Sequence, residues 1–310
     1  MTQQKRPIVP CLWFDQKAEE AVSFYSEIFG NGTIHHVSRY GEEGAEHHKK
    51  PPGSAMAVSF SMHGQEFLAL NGGPMYRHSP GISFFVTCET EEEADRVWKT
   101  LAEGGAVLMP YDQYPWSEKY GWLNDRYGVS WQISLGKLPD VKQKFVPSLM
   151  FIGSKFGKVE DAIDFYLDIF KPSSLEGIDR YTEQDPDETG KVKHAQFYLG
   201  DNTFMMMESS LAHQFDISPA ISFIVTCEQQ EEIDYYWDKL TRGEGDEVQC
   251  GWLYDQYGVS WQVVPSMLPA GMKDPEKAGK LMAAFMPMKK LDIKVLEKAL
   301  ETWPESENLH

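Results

Sequence analysis

The sequence predicts an α+β protein of tandem βαβββ modules, arranged as two copies of a two-module domain with C-terminal helices. Three observations predict it. Residues 82–89 read ISFFVTCE, and residues 221–228 read ISFIVTCE. Residues 121–133, GWLNDRYGVSWQI, return at 251–263 as GWLYDQYGVSWQV. Between these landmarks the apolar spacing runs from period two to period 3.6 and back, in the same order in both halves.

The repeat extends to the start of each half. Val9, Pro10, Leu12 and Phe14 return as Val146, Pro147, Leu149 and Phe151. Phe24, Tyr25, Ile28 and Phe29 return as Phe165, Tyr166, Ile169 and Phe170. The second half gains GSKFGK before its first helix and lacks the segment around Tyr111 to Glu118, so the two pockets should differ at their rims. The polar join from Leu138 to Lys144 contains Pro139 and divides the chain. The expected units are residues 1–138, residues 144–268 and a helical tail over residues 269–310.

Each element of the first copy has a local reason. Ile8 to Phe14 is an apolar run suited to a strand. From Lys17 to Phe29 the apolar positions Ala18, Ala21, Val22, Tyr25, Ile28 and Phe29 share one helical face, and Asn31-Gly32 ends it. Thr33 to Tyr40 alternates as a strand, and a loop with Pro51, Pro52 and Gly53 follows. Ala55 to Met62 and Phe67 to Asn71 read as a hairpin across His63-Gly64. Ile82 to Cys88 restarts the pattern. Thr90 caps a helix to Ala102, with Glu93 at the reciprocal position, and Gly104-Gly105 stops it. Val107 to Tyr111, Gly121 to Asn124 and Val129 to Ser134 are strands, the last two joined by a tight turn at Asp125 to Gly128.

The tail differs from the modules. Asp274-Pro275 is a helix start, and Leu281, Met282, Phe285 and Met286 form an apolar stripe. Asp292 caps a further helix through Glu301. The stripe reads as packing, either on the second copy or where the copies meet.

Composition narrows the function. The 310 residues carry 17 Phe, 14 Tyr and 9 Trp, enough to fill real cores. A formal net charge of −18 makes nucleic acid and anionic membranes poor partners. The four cysteines, Cys11, Cys88, Cys227 and Cys250, form no CxxC pair. Met1 to Pro7 lacks the apolar core of a signal peptide and no apolar run is long enough to span a bilayer, so a cytoplasmic location is expected. No glycine-rich nucleotide loop, Walker sequence, nucleophile elbow or methyl-donor site is visible, and no cofactor is expected.

Tandem modules ending in D-x-Y-G-V-S-W-Q resemble the vicinal oxygen chelate superfamily, which includes glyoxalase I and bleomycin-resistance proteins. The resemblance is closer to its PhnB-like branch, often labelled 3-demethylubiquinone-9 3-methyltransferase. VPCLWFD at Val9–Asp15, AEEAVSFY at Ala18–Tyr25, YPWSEKYGW at Tyr114–Trp122, DRYGVSWQ at Asp125–Gln132 and MKKLDI at Met288–Ile293 carry it. The resemblance implies a cup-shaped pocket and, in metal-dependent members, a divalent ion held by His, Gln or Glu on paired strands. Here those positions fall at Pro10 or Cys11, Pro147 or Ser148, Gly81-Ile82, Ala220-Ile221, Gln132 and Gln262, and near Asn71 and Glu208. That set lacks full ligation, so no tightly held metal is expected.

The candidate ligand-binding residues are Trp13, Tyr40, Asn71, Tyr111, Trp116, Trp122, Gln132, His194, Glu208 and Gln262. Period two places Gln132 and Trp131 on opposite faces, and one must face the cup; the same holds for Gln262 and Trp261. His194, Gln196 and Tyr198 share a strand face leading to Glu208. Adjacent His35-His36 and His47-His48 cannot chelate together. Trp116 lies in a segment absent from the second copy, so the site, if single, is expected in the first. The expected function is binding of a small apolar or aromatic molecule. The alternative is a metal-assisted lyase, isomerase or dioxygenase using His194 and Glu208. Duplication implies a pseudo-dimer within one chain, with a homodimer also open. Whether modules pair within or between copies is open.

Overall fold

The computed structural model describes residues 8–41 and 50–301; the Met1–Pro7 stretch, His47 and His48 lie outside the described residues. Sixteen strands and eight α-helices are described. The first module is β1 (Val9–Phe14), α1 (Ala18–Phe29), β2 (Gly32–Arg39), β3 (Ala55–Met62) and β4 (Gln65–Asn71). The second is β5 (Ile82–Cys88), α2 (Glu91–Ala102), β6 (Ala106–Tyr114), β7 (Ser117–Asn124) and β8 (Ser130–Leu135). A short helix α3 (Leu138–Val141) joins the copies. The third module is β9 (Phe145–Phe151), α4 (Val159–Ile169), β10 (Ser173–Arg180), β11 (Val192–Leu199) and β12 (Asn202–Glu208). The fourth is β13 (Ile221–Cys227), α5 (Gln230–Leu240), β14 (Asp246–Glu247), β15 (Trp252–Tyr254) and β16 (Ser260–Pro265). The tail adds α6 (Met267–Gly271), α7 (Pro275–Phe285) and α8 (Ile293–Glu301).

The modules pair between copies. Sheet I runs β14-β15-β16-β13-β1-β4-β3-β2, uniting modules one and four. Sheet II runs β10-β11-β12-β9-β5-β8-β7-β6, uniting modules two and three. The seams are antiparallel: Cys11 faces Ser222 across β1 and β13, and Ser83 faces Ser148 across β5 and β9. Each sheet therefore needs both copies, and the two-copy chain is its own pseudo-dimer.

Helices α1, α2, α4 and α5 share one large core with one face of both sheets. On α1 the buried residues are Ala18, Ala21, Val22, Tyr25, Ile28 and Phe29, the face that period 3.6 predicts. The D-x-Y-G-V-S-W-Q signature ties that core together. Asp125 accepts from Tyr25 Oη at 2.8 Å, from Trp131 Nε1 at 2.9 Å, and from the backbone N–H groups of Tyr127 and Val129. Asp255 repeats the pattern with Tyr166, Trp261, Tyr257 and Val259. Gly128 and Gly258 adopt φ of 86° and 78°, which lets each turn fold the N–H groups back onto the carboxylate. The signature is a structural clasp between a hairpin and the first helix of its copy.

The long hairpin β6–β7 differs from expectation. Its strands run on to a turn at Pro115-Trp116, so Trp116 sits at a hairpin tip rather than in an irregular loop. In the fourth module the equivalent strands hold two and three residues. No helix among the described residues is long and apolar enough to cross a membrane.

Candidate functional site

The face of each sheet away from the shared core forms a cup. Strand parity sorts the side chains: on β1, Leu12 and Phe14 enter the core, while Val9, Cys11 and Trp13 face the first cup. On β16, Trp261 and Val263 enter the core and Gln262 and Val264 face the cup. On β8, Trp131 and Ile133 enter the core, which turns Gln132 and Ser134 into the second cup. The glutamine, not the tryptophan, is the cup residue in both copies.

The first cup is filled by the tail. Leu281 of α7, Leu291 of the link before α8 and Leu296 of α8 pack on Cys11, Ile224 and Val264, with Val9, Leu68 and Leu70 beside them. The link from α7 to α8 takes the place of the missing hairpin: Cys250 and Gly251 donate backbone N–H groups to the carbonyls of Met288 and Lys289 at 2.7 and 2.8 Å. A Cβ on Gly251 would approach Leu291 to 3.1 Å, so this close seat suits glycine, whose φ is 81°. The α8 end is also tied to α5, since Gln230 donates to the Leu291 carbonyl and accepts from the Ile293 N–H. The tail thus lies where the two copies meet, on strands of both.

Beneath it, Gln262 donates to Ser222 Oγ at 3.0 Å, and burial pushes the neighbouring Cys11 thiol up to about 11. Trp13 lies at one end of this cup, donating to the Gly73 carbonyl at 2.7 Å and meeting Tyr76 and Trp252 edge-on.

The second cup is covered differently. Its apolar cluster of Trp122, Met150 and Ile152, with Met109, Met207 and Phe215 against it, contains no helical residue. A chain of hydrogen bonds crosses its floor. Tyr120 Oη donates to Gln132 Oε1 at 2.8 Å, Gln132 Nε2 donates to Ser83 Oγ at 2.8 Å, and Ser83 donates to the Ser148 carbonyl. Trp122 Nε1 donates to Ser130 Oγ. The Oγ of Ser148 and Oγ1 of Thr87 are buried without a partner among the described residues, as is Ser260 Oγ in the tail-filled cup.

Aromatic rings climb from floor to rim. Phe85 lies 6.4 Å from Tyr120, Tyr120 lies 5.7 Å from Trp116, and Trp116 stacks on Tyr114 at 5.0 Å. Trp116 is 53% exposed. Across the mouth, Lys193 Nζ stands 5.8 Å from its ring centroid. His194 faces the cup from β11, and its imidazole is held below its ordinary pKa by burial, with Asp179 opposing. At the far end of β11 and β12, Lys142, Tyr198 and Thr203 border a cavity of about 420 Å³; Lys142 Nζ sits 4.2 Å above the Tyr198 ring.

Four expected site residues lie elsewhere. Asn71 and Glu208 end β4 and β12 on the helix face, a parity that strand counting alone did not resolve. Asn71 Oδ1 accepts from the Ala18 N–H at the start of α1 and its amide donates to the Ala55 carbonyl. Glu208 accepts from Gly157 and Val192 N–H groups, so its carboxylate is spent before α4. The expected cluster of His194 with Glu208 therefore does not form. Tyr40 donates to the Asn71 carbonyl and locks the end of β4, as Tyr181 does at Glu208. Tyr111 stacks on Trp98 of α2 at 5.0 Å and donates to Asp95, on the helix side of sheet II. A site confined to the first copy is also corrected, because the second cup combines β5–β8 with β9–β12.

Ser83, Ser148, Tyr120 and Lys193 were missed as a group. Only knowledge of the β5–β9 seam brings them together.

The floor residues of both cups are poor ligands for a divalent metal. Ser83, Gln132, Ser148 and Met205 offer hydroxyl, amide and thioether groups, and the first cup offers Cys11, Leu68, Ser222 and Gln262. Neither set holds a carboxylate or an imidazole, and its one thiol, Cys11, is kept protonated by burial, so neither fits the donor sets that divalent ions favour. Among the described residues no three His, Cys, Asp or Glu are grouped to hold a metal ion.

Eight-stranded cups made of paired βαβββ modules define the vicinal oxygen chelate fold. Glyoxalase I from Zea mays shares it, with a TM-score of 0.53 at 12% identity over 84% of this chain and 92% of that one. The family model described as 3-demethylubiquinone-9 3-methyltransferase matches twice, over residues 6–134 and 143–264. The chain belongs to that family, in its PhnB-like form, as a tandem duplicate. A PhnB protein from Bacillus cereus is 44% identical, covering 42% of this chain and 100% of its own, with a TM-score of 0.39. Protein YjdN of Escherichia coli K12 is 23% identical over 142 residues, 42% of this chain and 96% of YjdN. Each of these two relatives has the length of one copy.

Proposed function

We propose that the chain binds a small apolar or aromatic molecule in the second cup, at one site per chain. The observation that carries this reading is the unequal filling of two equivalent cups. The first is closed by the chain's own leucines. The second is lined by aromatic rings and methionines, with no helix in its apolar cluster. Concave apolar surface with a few polar groups is the common form of a small-ligand site.

A metal-assisted lyase, isomerase or dioxygenase remains the other reading of the fold. Its support is the likeness to glyoxalase I, which at 12% identity speaks for the fold alone. The family description names a methyltransferase, and no residue pattern here adds support to methyl transfer.

Titration with naphthalene, followed by tryptophan fluorescence, tests the binding reading. Saturable quenching that Trp116→Ala weakens is expected. Absence of saturable binding by any flat aromatic probe would end it.

A further inference from the structure

We propose that the ligand of the second cup is a flat ring bearing a neutral hydrogen-bonding substituent, and that Ser148 reads that substituent. This rests on the second cup being the ligand site and names the ligand class.

Strand register superposes the two cups. Cys11 lies between Ser222 and Leu68, and Ser148 lies between Ser83 and Met205. The floor glutamines correspond as well, each donating to the serine on the neighbouring strand. At this central position the tail-filled cup carries a thiol, which packs as a small hydrophobe beneath leucines. The second cup carries a hydroxyl in its place.

That hydroxyl has no partner among the described residues, although Ser148 is 1% exposed. The hydrogen bonds of its neighbours run elsewhere. Ser83 donates to the Ser148 carbonyl and accepts from Gln132, and Gln132 accepts from Tyr120. A buried hydroxyl left unpaired is unfavourable, and a ligand oxygen seated on it removes the cost. Ser83, Gln132 and Met205 beside it are uncharged, which favours a neutral hydroxyl or carbonyl over an ionised group. Phe85, Tyr120 and Trp116 rise from this floor as a ladder of rings, suited to hold a flat ring above Ser148.

The test compares naphthalene with 2-naphthol on the full chain by fluorescence titration. The wild type should bind 2-naphthol about five- to tenfold more tightly, the effect of one buried hydrogen bond. In Ser148→Ala and in Ser148→Cys, the residue of the twin cup, the preference should collapse to within about twofold while naphthalene affinity holds. Should Ser148→Ala fail to fold, Ser148→Cys carries the same test. Equal affinities in the wild type, or a preference that survives both substitutions, overturns the role of Ser148 and leaves the binding cup standing. Failure of both probes to bind overturns the cup and this proposal together.

Discussion

Lys193 Nζ stands 5.8 Å from the ring centroid of Trp116, so the second and third modules touch across the mouth of the cup they share. The contact joins a hairpin tip of the first copy to a strand of the second. It explains why a large aromatic occupies a half-exposed turn, where packing gives it little reason to be.

Trp116→Ala should therefore separate binding from stability. Trp116 is 53% exposed, so urea unfolding should shift by no more than about 0.5 kcal/mol. Affinity for 2-naphthol should fall roughly tenfold, as expected for losing one aromatic contact. Unchanged affinity would place the ligand away from the rim.

The tail makes a prediction about thiols. Cys11, Cys88 and Cys227 are buried and Cys250 is half-buried, so Cys250 should be the fast-labelling thiol of the native chain. Leu281→Ala or Leu291→Ala should cost about 2–5 kcal/mol of tail packing. Either should speed labelling of Cys11, read by peptide mass, while Cys88 stays protected. Equal protection of Cys11 in both variants would mean the tail is not what covers the first cup.

Asp255 and His78 should titrate in opposite senses. Burial lifts the Asp255 carboxyl from 3.8 to about 6, against the hydrogen bonds from Tyr166 and Trp261. Its folded value lies above its unfolded one, so its stabilisation is full below about pH 4 and is lost as pH rises through about 6. Burial lowers His78 to about 4, and neither ring nitrogen has a side-chain partner among the described residues. Its stabilisation is present above about pH 6.5 and is lost as pH falls through about 4. Relative to wild type, Asp255→Asn should be more destabilising at pH 4 than at pH 7, by roughly 2–3 kcal/mol. His78→Leu should shift the opposite way, gaining relative stability toward pH 4. Denaturant unfolding at several pH values checks both, and parallel pH curves for either variant would contradict the corresponding assignment.

Pairing between copies predicts the behaviour of half the chain. Residues 1–138 alone would leave β1 and β5 as unpaired edges, because their partners β13 and β9 belong to the second copy. Light scattering should find this fragment as a dimer or larger. A stable monomer would show that the seams are dispensable.

Much of the fold was legible in local pattern. The repeat, the alternation of periods and the caps at Thr90, Asp274 and Asp292 all reappear in the structure. What escaped was non-local. No periodicity says that β5 pairs with β9 rather than with β1, so the grouping of Ser83 with Ser148 was invisible. The stripe on α7 signalled burial and left the partner open, and the partner proved to be a cup. Asn71 and Glu208 were misplaced because both end their strands, where one residue of parity decides between cup and helix face. The most repeated motif, D-x-Y-G-V-S-W-Q, proved structural at its aspartate and tryptophan; only its serine and glutamine turn toward the cup.

The unequal cups are tested most directly by the stoichiometry of 2-naphthol binding, measured by titration calorimetry on the full chain. The account predicts one molecule per chain, with binding weakened by Trp116→Ala and unaffected by substitution of Trp13 in the tail-filled cup. Two equivalent molecules per chain, or a single one lost on Trp13→Ala and kept in Trp116→Ala, would contradict it.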